Sequence, residues 1–268
     1  MSAQLVAGID MGSRTAKAVV LAADGAIVGR GIARMRPDFA GLARDALDQA
    51  IAAAGARSDD VAYVATTGMG RYNVPFRDIQ VTDITAVARG ASALFPATRS
   101  ILDIGAQSTR AMRVLEGGRV KEFRTNDKCA AGAGGFAERA ARYLEIKLED
   151  LGALSNNADS PTVISSVCAV FAESEIINLV TAGQSVENIV RGIHDSLAQR
   201  GFQLLKRVGL EAEITFVGGM ALQDGMVRAL EAAVGQKVNV SERPDLCAAF
   251  GAALLARQRL AKQEEVAA

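Results

Sequence analysis

Asp10-Met11-Gly12-Ser13-Arg14-Thr15-Ala16-Lys17 and Asp103-Ile104-Gly105-Ala106-Gln107-Ser108-Thr109-Arg110 are one pattern written twice. Each follows an apolar run and leads into apolar residues and a glycine turn, Asp24-Gly25 in the first copy and Gly117-Gly118 in the second. The agreement goes past the glycines: Thr15 matches Ser108, Lys17 matches Arg110 and Ala18 matches Ala111. A strand that ends in Asp-x-Gly, reverses tightly and returns as a second strand gathers backbone N–H groups and a hydroxyl at its turn, which suits a phosphate. One such hairpin alone is as well explained by an ordinary turn. Duplication favours a pair of phosphate grips, one in each of two similarly built halves.

The rest of the chain fits two α/β lobes. Its 268 residues are enough for a sizeable core, and strand-like and helix-like segments alternate. Helices are expected at Gly41–Ala54, Ile84–Leu94, Gly134–Leu144, Ala169–Val180, from Ser185 as N-cap, and near Gly225–Val234. Strands are expected at Val61–Ala65, Ile214–Val217 and, briefly, Val238–Val240. The first strand runs into the small-residue loop Thr66-Thr67-Gly68-Met69-Gly70, at the kind of strand end where α/β sites lie. The expected division is a first lobe over 1–98 and a second over 99–268. A last Ala-rich helix, about 245–262, is expected to pack back on the first lobe, ahead of a frayed polar tail.

Composition removes several function classes. Lys plus Arg and Asp plus Glu are 30 each, and no basic run stands out, so nucleic-acid binding and attachment to an anionic membrane are not expected. Tryptophan is absent and aromatics are 4%, too few for base-stacking platforms. The segment from Met1 to Val6 does not read as a secretory leader, and no apolar run reaches membrane-spanning length. A cytoplasmic location is expected, where the three cysteines stay reduced. The single histidine, His194, excludes a multi-histidine metal site within the chain and is expected to make one hydrogen bond from a helix.

In the hairpins, Asp10 and Asp103 are the candidates for holding hydrated Mg²⁺, a hard cation that keeps several waters and needs few carboxylates. Gly12 and Gly105 let backbone approach phosphate oxygens, Ser13 and Thr15 offer hydroxyls, and Lys17 offers neutralising charge beside Arg14. Neither a P-loop nor a usable dinucleotide-binding fingerprint is present. Gly218-Gly219, at the end of a buried strand, fits close approach to the adenosine side of a nucleotide. Two Asp-x-Gly hairpins with a late Gly-Gly turn resemble the duplicated nucleotide-binding fold of sugar kinases, actin and ATP-driven chaperones. That resemblance implies ATP bound between the halves.

Two cysteine segments remain. Cys129, in Asn126-Asp127-Lys128-Cys129-Ala130-Ala131-Gly132, and Cys168, in Ser165-Ser166-Val167-Cys168-Ala169, each place a thiol among small residues just ahead of an expected helix. There the dipole and unpaired N–H groups favour thiolate. Each alone reads equally as a buried structural cysteine. Two thiolates cannot complete the four-cysteine shell of an iron–sulfur cluster, but two copies related by a two-fold axis can. Cys247, in an Ala-rich stretch, reads as core.

These segments, with the hairpins, resemble the activator ATPases of 2-hydroxyacyl-CoA dehydratases and the ATP-binding subunits of ATP-dependent benzoyl-CoA reductases, over nearly the whole chain. The resemblance implies an ATPase that delivers a low-potential electron from a [4Fe–4S] cluster bridging two protomers. It implies Cys129 and Cys168 as cluster ligands, Asp10, Asp103 and Gln107 in hydrolysis, and Gly12, Ser13, Arg14, Thr15, Lys17, Gly105, Gly218 and Gly219 around Mg-ATP or Mg-ADP. Implied partners are a second ATPase protomer, identical or related, catalytic reductase or dehydratase subunits, and a ferredoxin-like donor. One departure stands out: the activators commonly carry a second Asp where this chain has Ser108. That change suits one member of an unequal ATPase pair, and it tilts the expectation toward a D-type ATPase component like that of benzoyl-CoA reductase, over a homodimeric activator. A small-molecule kinase with Asp103 as base would leave both cysteine segments unexplained.

Overall fold

The structure, a computed structural model, describes residues 4–126, 133–164 and 169–267. The chain forms two compact units: Met1–Pro96 with Glu116–Val120 and Leu246–Ala268, and Ala97–Leu115 with Lys121–Asp245.

The first unit is built on a mixed sheet of five strands in the order β3-β2-β1-β4-β5. These are β1 (Leu5–Met11), β2 (Thr15–Leu21), β3 (Ile27–Arg34), β4 (Val61–Thr67) and β5 (Ile79–Gln80). β1, β2 and β3 form antiparallel pairs, whereas β4 lies parallel to β1 and β5 parallel to β4. The central strands are apolar on both sides because both faces are covered. Helix α1 (Phe39–Ala53) buries Leu42, Ala46, Leu47 and Ala50 with Ala7, Ile9 and Met11. Helices α2 (Asp83–Leu94) and α8 (Cys247–Ala267) take the other face, where Ala86, Ala249, Phe250 and Ala253 pack with Val6, Val19 and Tyr63. The Asp38 carboxylate accepts the Gly41 N–H to start α1, and the Thr82 hydroxyl accepts the Thr85 N–H to start α2.

The second unit repeats that strand plan with a larger helical complement. Its sheet runs β8-β7-β6-β9, from β6 (Ser100–Ile104), β7 (Thr109–Leu115), β8 (Arg119–Asn126) and β9 (Ile214–Val217). β6 and β7 are antiparallel and β9 is parallel to β6, as β4 is to β1. Helices α3 (Gly134–Tyr143), α4 (Leu151–Asn156), α5 (Ala169–Thr181), α6 (Val186–Arg207) and α7 (Asp224–Val234) surround a core that includes Phe136, Ile176, Ile193, Leu197 and Phe216. Ser185 caps α6 by accepting the Asn188 N–H.

Two local expectations are corrected. Residues 238–240 do not form a strand: Asn239 makes an isolated parallel bridge to Thr215, exchanging backbone hydrogen bonds with Ile214 and Phe216. The polar tail is helical, since α8 continues to Ala267 through a run of Arg, Gln, Ala, Lys and Glu, all strong helix formers.

Candidate functional site

The two Asp-x-Gly segments form antiparallel hairpins with the same register. Asp10 lies opposite Lys17 and Asp103 opposite Arg110. Each carboxylate therefore faces a cation directly across the ladder. Arg110 Nη1 donates to Asp103 Oδ2 at 2.9 Å, and Lys17 Nζ stands 3.9 Å from Asp10 Oδ2. All four side chains are largely buried, so these pairs fix carboxylate direction in a poorly screened setting. Asp103 is the more firmly held of the two acids.

The turns themselves are tight. Gly105 N–H donates to the Ser108 carbonyl at 3.0 Å. Gly12 and Ser13 are half-buried while Arg14 is exposed at the first turn, and Gln107 is exposed at the second. Each unit thus assembles its own hairpin group: Asp10, Gly12, Ser13, Arg14, Thr15 and Lys17 in one, Asp103, Gly105, Gln107 and Arg110 in the other.

The duplication extends beyond the hairpins, to a feature the sequence pattern did not bring out. In each unit the strand parallel to the Asp-bearing strand ends beside the carboxylate, Thr67 in register with Asp10 and Val217 with Asp103. The next residue is a glycine with positive φ, Gly68 at +83° and Gly218 at +90°. A Cβ on either would fall 2.5 Å from the aspartate Oδ1, so backbone abuts carboxylate in both units and only glycine fits. The available signal was a glycine at the same offset after two strands, in Thr66-Thr67-Gly68 and Phe216-Val217-Gly218. Gly218 N–H also donates to the Pro244 carbonyl, next to the two-pronged Arg243–Asp245 ion pair with both contacts at 2.9 Å. That pair raises the Arg243 pKa, through the hydrogen bond to Asp245 above all. Gly219 follows, exposed.

Cys129 and Cys168 lie outside the described residues. Around them, Cys168 directly precedes the first residue of α5, and the segment carrying Cys129 leads into α3. The first N–H groups of α3 are already engaged: Gly134 donates to the Gly105 carbonyl at 2.9 Å and Gly135 to the Ala106 carbonyl at 2.7 Å. These donors are bonded to the second Asp-x-Gly turn, whereas unpaired N–H groups were expected ahead of the helix. Among the described residues no cluster of three or more His, Cys, Asp or Glu side chains could hold a metal ion. Cys247 is buried in the first unit and its thiol donates to the Val87 carbonyl.

His194, on α6, is fully buried and its Nε2 pairs with Gln223 Oε1 at 2.8 Å. Gln223 Nε2 donates to the Leu148 carbonyl, which leaves Oε1 as acceptor and sets His194 as the Nε2-protonated neutral tautomer. Burial lowers its pKa to about 4. No helix among the described residues is long and apolar enough to cross a membrane.

Comparison with known proteins follows this architecture. The model of the BadF/BadG/BcrA/BcrD ATPase family matches residues 7–256. The activator of lactoyl-CoA dehydratase from Anaerotignum propionicum is 40% identical over 256 residues, 96% of this chain and 98% of that protein. A subunit of benzoyl-CoA reductase from Thauera aromatica is 39% identical over 260 residues, covering 93% and 92%. The solved structure of the activator of 2-hydroxyisocaproyl-CoA dehydratase from Clostridium difficile, with bound ADPNP, superposes with a TM-score of 0.93 at 35% identity, covering 98% of this chain and 97% of that one. At the level of fold alone, a ROK family glucokinase from Streptomyces griseus matches with a TM-score of 0.58 at 16% identity, covering 95% and 99%. The fold is that of the sugar-kinase and actin-like ATPases.

Proposed function

The chain belongs to the BadF/BadG/BcrA/BcrD ATPase family, and on that premise we propose that it couples ATP hydrolysis to delivery of a low-potential electron to a partner acting on a CoA thioester. The observation that carries the reading is the twinned hairpin site, with the second hairpin tied to α3 by the Gly134 and Gly135 N–H groups. Asp10 and Asp103 are the residues that would hold hydrated magnesium, each aimed within its own hairpin by its paired cation, Lys17 or Arg110. The turns at Gly12 to Thr15 and at Gly105 grip phosphate oxygens, Gln107 orients the attacking water, and Gly218 and Gly219 border the adenosine. Loss of the γ-phosphate shifts the second turn, and α3 follows because its first two N–H groups are bonded to carbonyls of that turn.

The cysteines complete the proposal. Cys129 and Cys168 are the chain's candidate ligands for a [4Fe–4S] cluster, two from each of two protomers. When bound, such a cluster stores one electron at a potential set by hydrogen bonding and solvent exposure around its sulfurs. Because the segment carrying Cys129 leads into α3, a movement of α3 would act on that cysteine's surroundings. A ferredoxin-like protein supplies the electron, and catalytic subunits on other chains receive it.

Ser108, standing where activators commonly carry Asp, supports a D-type ATPase component within an unequal pair, as in benzoyl-CoA reductase. The end-to-end match to the lactoyl-CoA dehydratase activator supports a second reading, a homodimeric dehydratase activator. Co-purification under strict anaerobiosis separates them: the first gives a heteromeric complex with inert isolated chain, the second an active homodimer. A colourless monomer that phosphorylates a small alcohol overturns both.

A further inference from the structure

The loop that follows β4 carries two large apolar side chains that face water. Met69 is 61% exposed and Tyr72 57%. A single exposed apolar residue needs no explanation. Two of this size on one short loop do, because the loop holds them still. Gly70 N–H donates to the Met11 carbonyl at 3.1 Å and Asn73 N–H to the Gly70 carbonyl at 2.9 Å, and the Thr66 hydroxyl donates to the Arg71 carbonyl at 3.0 Å.

Three arginines accompany the pair. Arg71 stacks on the Tyr72 ring, 4.5 Å from its centroid, and donates to the Gly68 carbonyl and the Tyr72 hydroxyl. Arg77 donates to the Tyr72 and Val74 carbonyls, and Arg44 of α1 lies 3.8 Å over the Phe76 ring. No carboxylate neutralises any of the three among the described residues. The acid next in the chain, Asp78, is engaged elsewhere, accepting the Val64 N–H at 2.6 Å. The loop therefore shows solvent a methionine and a tyrosine set among uncompensated positive charge.

Met, Tyr and Arg are the side chains enriched where proteins bind one another, whereas Lys, Glu and Asp mark a face that stays in water. A backbone fixed in advance lowers the ordering cost of docking. The unneutralised arginines specify what docks: a protein surface that brings carboxylates around an apolar socket. Position adds a consequence. Gly68 abuts the Asp10 carboxylate and Gly70 is bonded to Met11, the last residue of β1, so a partner seated on the loop bears on the first hairpin.

We propose that residues 68–77 form the docking face for the catalytic subunit that this ATPase serves, an acidic surface with an apolar socket for Met69 and Tyr72. The proposal rests on the ATPase reading, which requires such a partner, and gives it a contact through which docking is felt at the first phosphate turn.

The test uses the catalytic subunits that associate with the protein in its native cell, purified and titrated against wild type and the double variant Met69→Ala/Tyr72→Ala. The control is Val266→Ala, which trims an apolar side chain 89% exposed on α8. Expected are equal melting temperatures and Mg-ATP affinities for all three proteins. The Kd for the catalytic subunits should rise about tenfold or more in the double variant alone, and wild-type binding should weaken as salt rises. Unchanged affinity in the double variant overturns the inference and leaves the ATPase reading standing. Weaker subunit binding accompanied by a lower melting temperature or weaker Mg-ATP binding marks damage to the fold or the hairpin, and also overturns it. So does wild-type binding that salt leaves untouched, which removes the acidic partner. Binding of wild type but not of the double variant to phosphatidylglycerol vesicles, with subunit affinity unchanged, makes the loop a lipid contact and overturns it too. A wild type that binds no catalytic subunit overturns the coupling reading, and this inference with it.

Discussion

At the scale of single residues, the proposed chemistry rests on two carboxylates held by cross-strand cations. Asp103→Asn removes charge at the more firmly held acid, and hydrolysis is expected to fall by about a hundredfold or more while Mg-ADP binding falls less, as steady-state rates and equilibrium titration will report. The lone histidine yields a pH prediction. Its folded-state pKa is lowered from 6.5 to about 4 by burial, so the unfolded chain takes up the proton first as pH falls. Its stabilising effect is complete above about pH 6.5 and drains away toward pH 4, for a loss on the order of 3 kcal/mol. Denaturant unfolding across that range should be steeper for wild type than for His194→Gln, whose amide can keep a hydrogen bond to Gln223 without gaining a charge. The duplicated aspartates and glycines were legible because chemistry and spacing repeat in the sequence. The place of Gly68 against Asp10 was not, since only the parallel pairing of β4 with β1 brings them together.

At the scale of elements, the helices with strong apolar periodicity and clear caps, such as α1, α2 and α6, could be read from sequence. Strands β3 and β8 could not. β3 mixes glycine and arginine with its apolar residues, and β8 alternates Arg, Lys and Glu on an exposed sheet edge, so backbone pairing decides their state where side-chain pattern does not. The polar tail of α8 is expected from sequence to fray, yet helix propensity carries it on from a buried first half. This division within one helix is measurable. Phe250→Ala, in the buried half, should cost about 3–5 kcal/mol, whereas a stop codon after Lys262, in the exposed half, should change stability by less than about 0.5 kcal/mol by denaturant titration.

At the scale of the whole molecule, one strand plan serves twice, and each copy brings an aspartate, its paired cation and a glycine to one strand end. The second copy has an additional connection, the bonds from the start of α3 to its Asp-x-Gly turn, and in the proposed function these link nucleotide chemistry to the segment carrying Cys129. The cysteines could be singled out in the sequence only as a pair of thiols ahead of helices; in the proposed function their use as ligands requires a second protomer. Replacing either Cys129 or Cys168 by Ser should abolish electron delivery while nucleotide-induced thermal stabilisation persists. The most direct measurement is iron and acid-labile sulfide in anaerobically purified protein, alongside its molar mass in solution. The expected result is an oxygen-sensitive dimer of ATPase protomers with about four irons and four sulfides in all, lost in Cys129→Ser. An iron-free protein, or a monomer with a full cluster of its own, would contradict the shared-cluster reading.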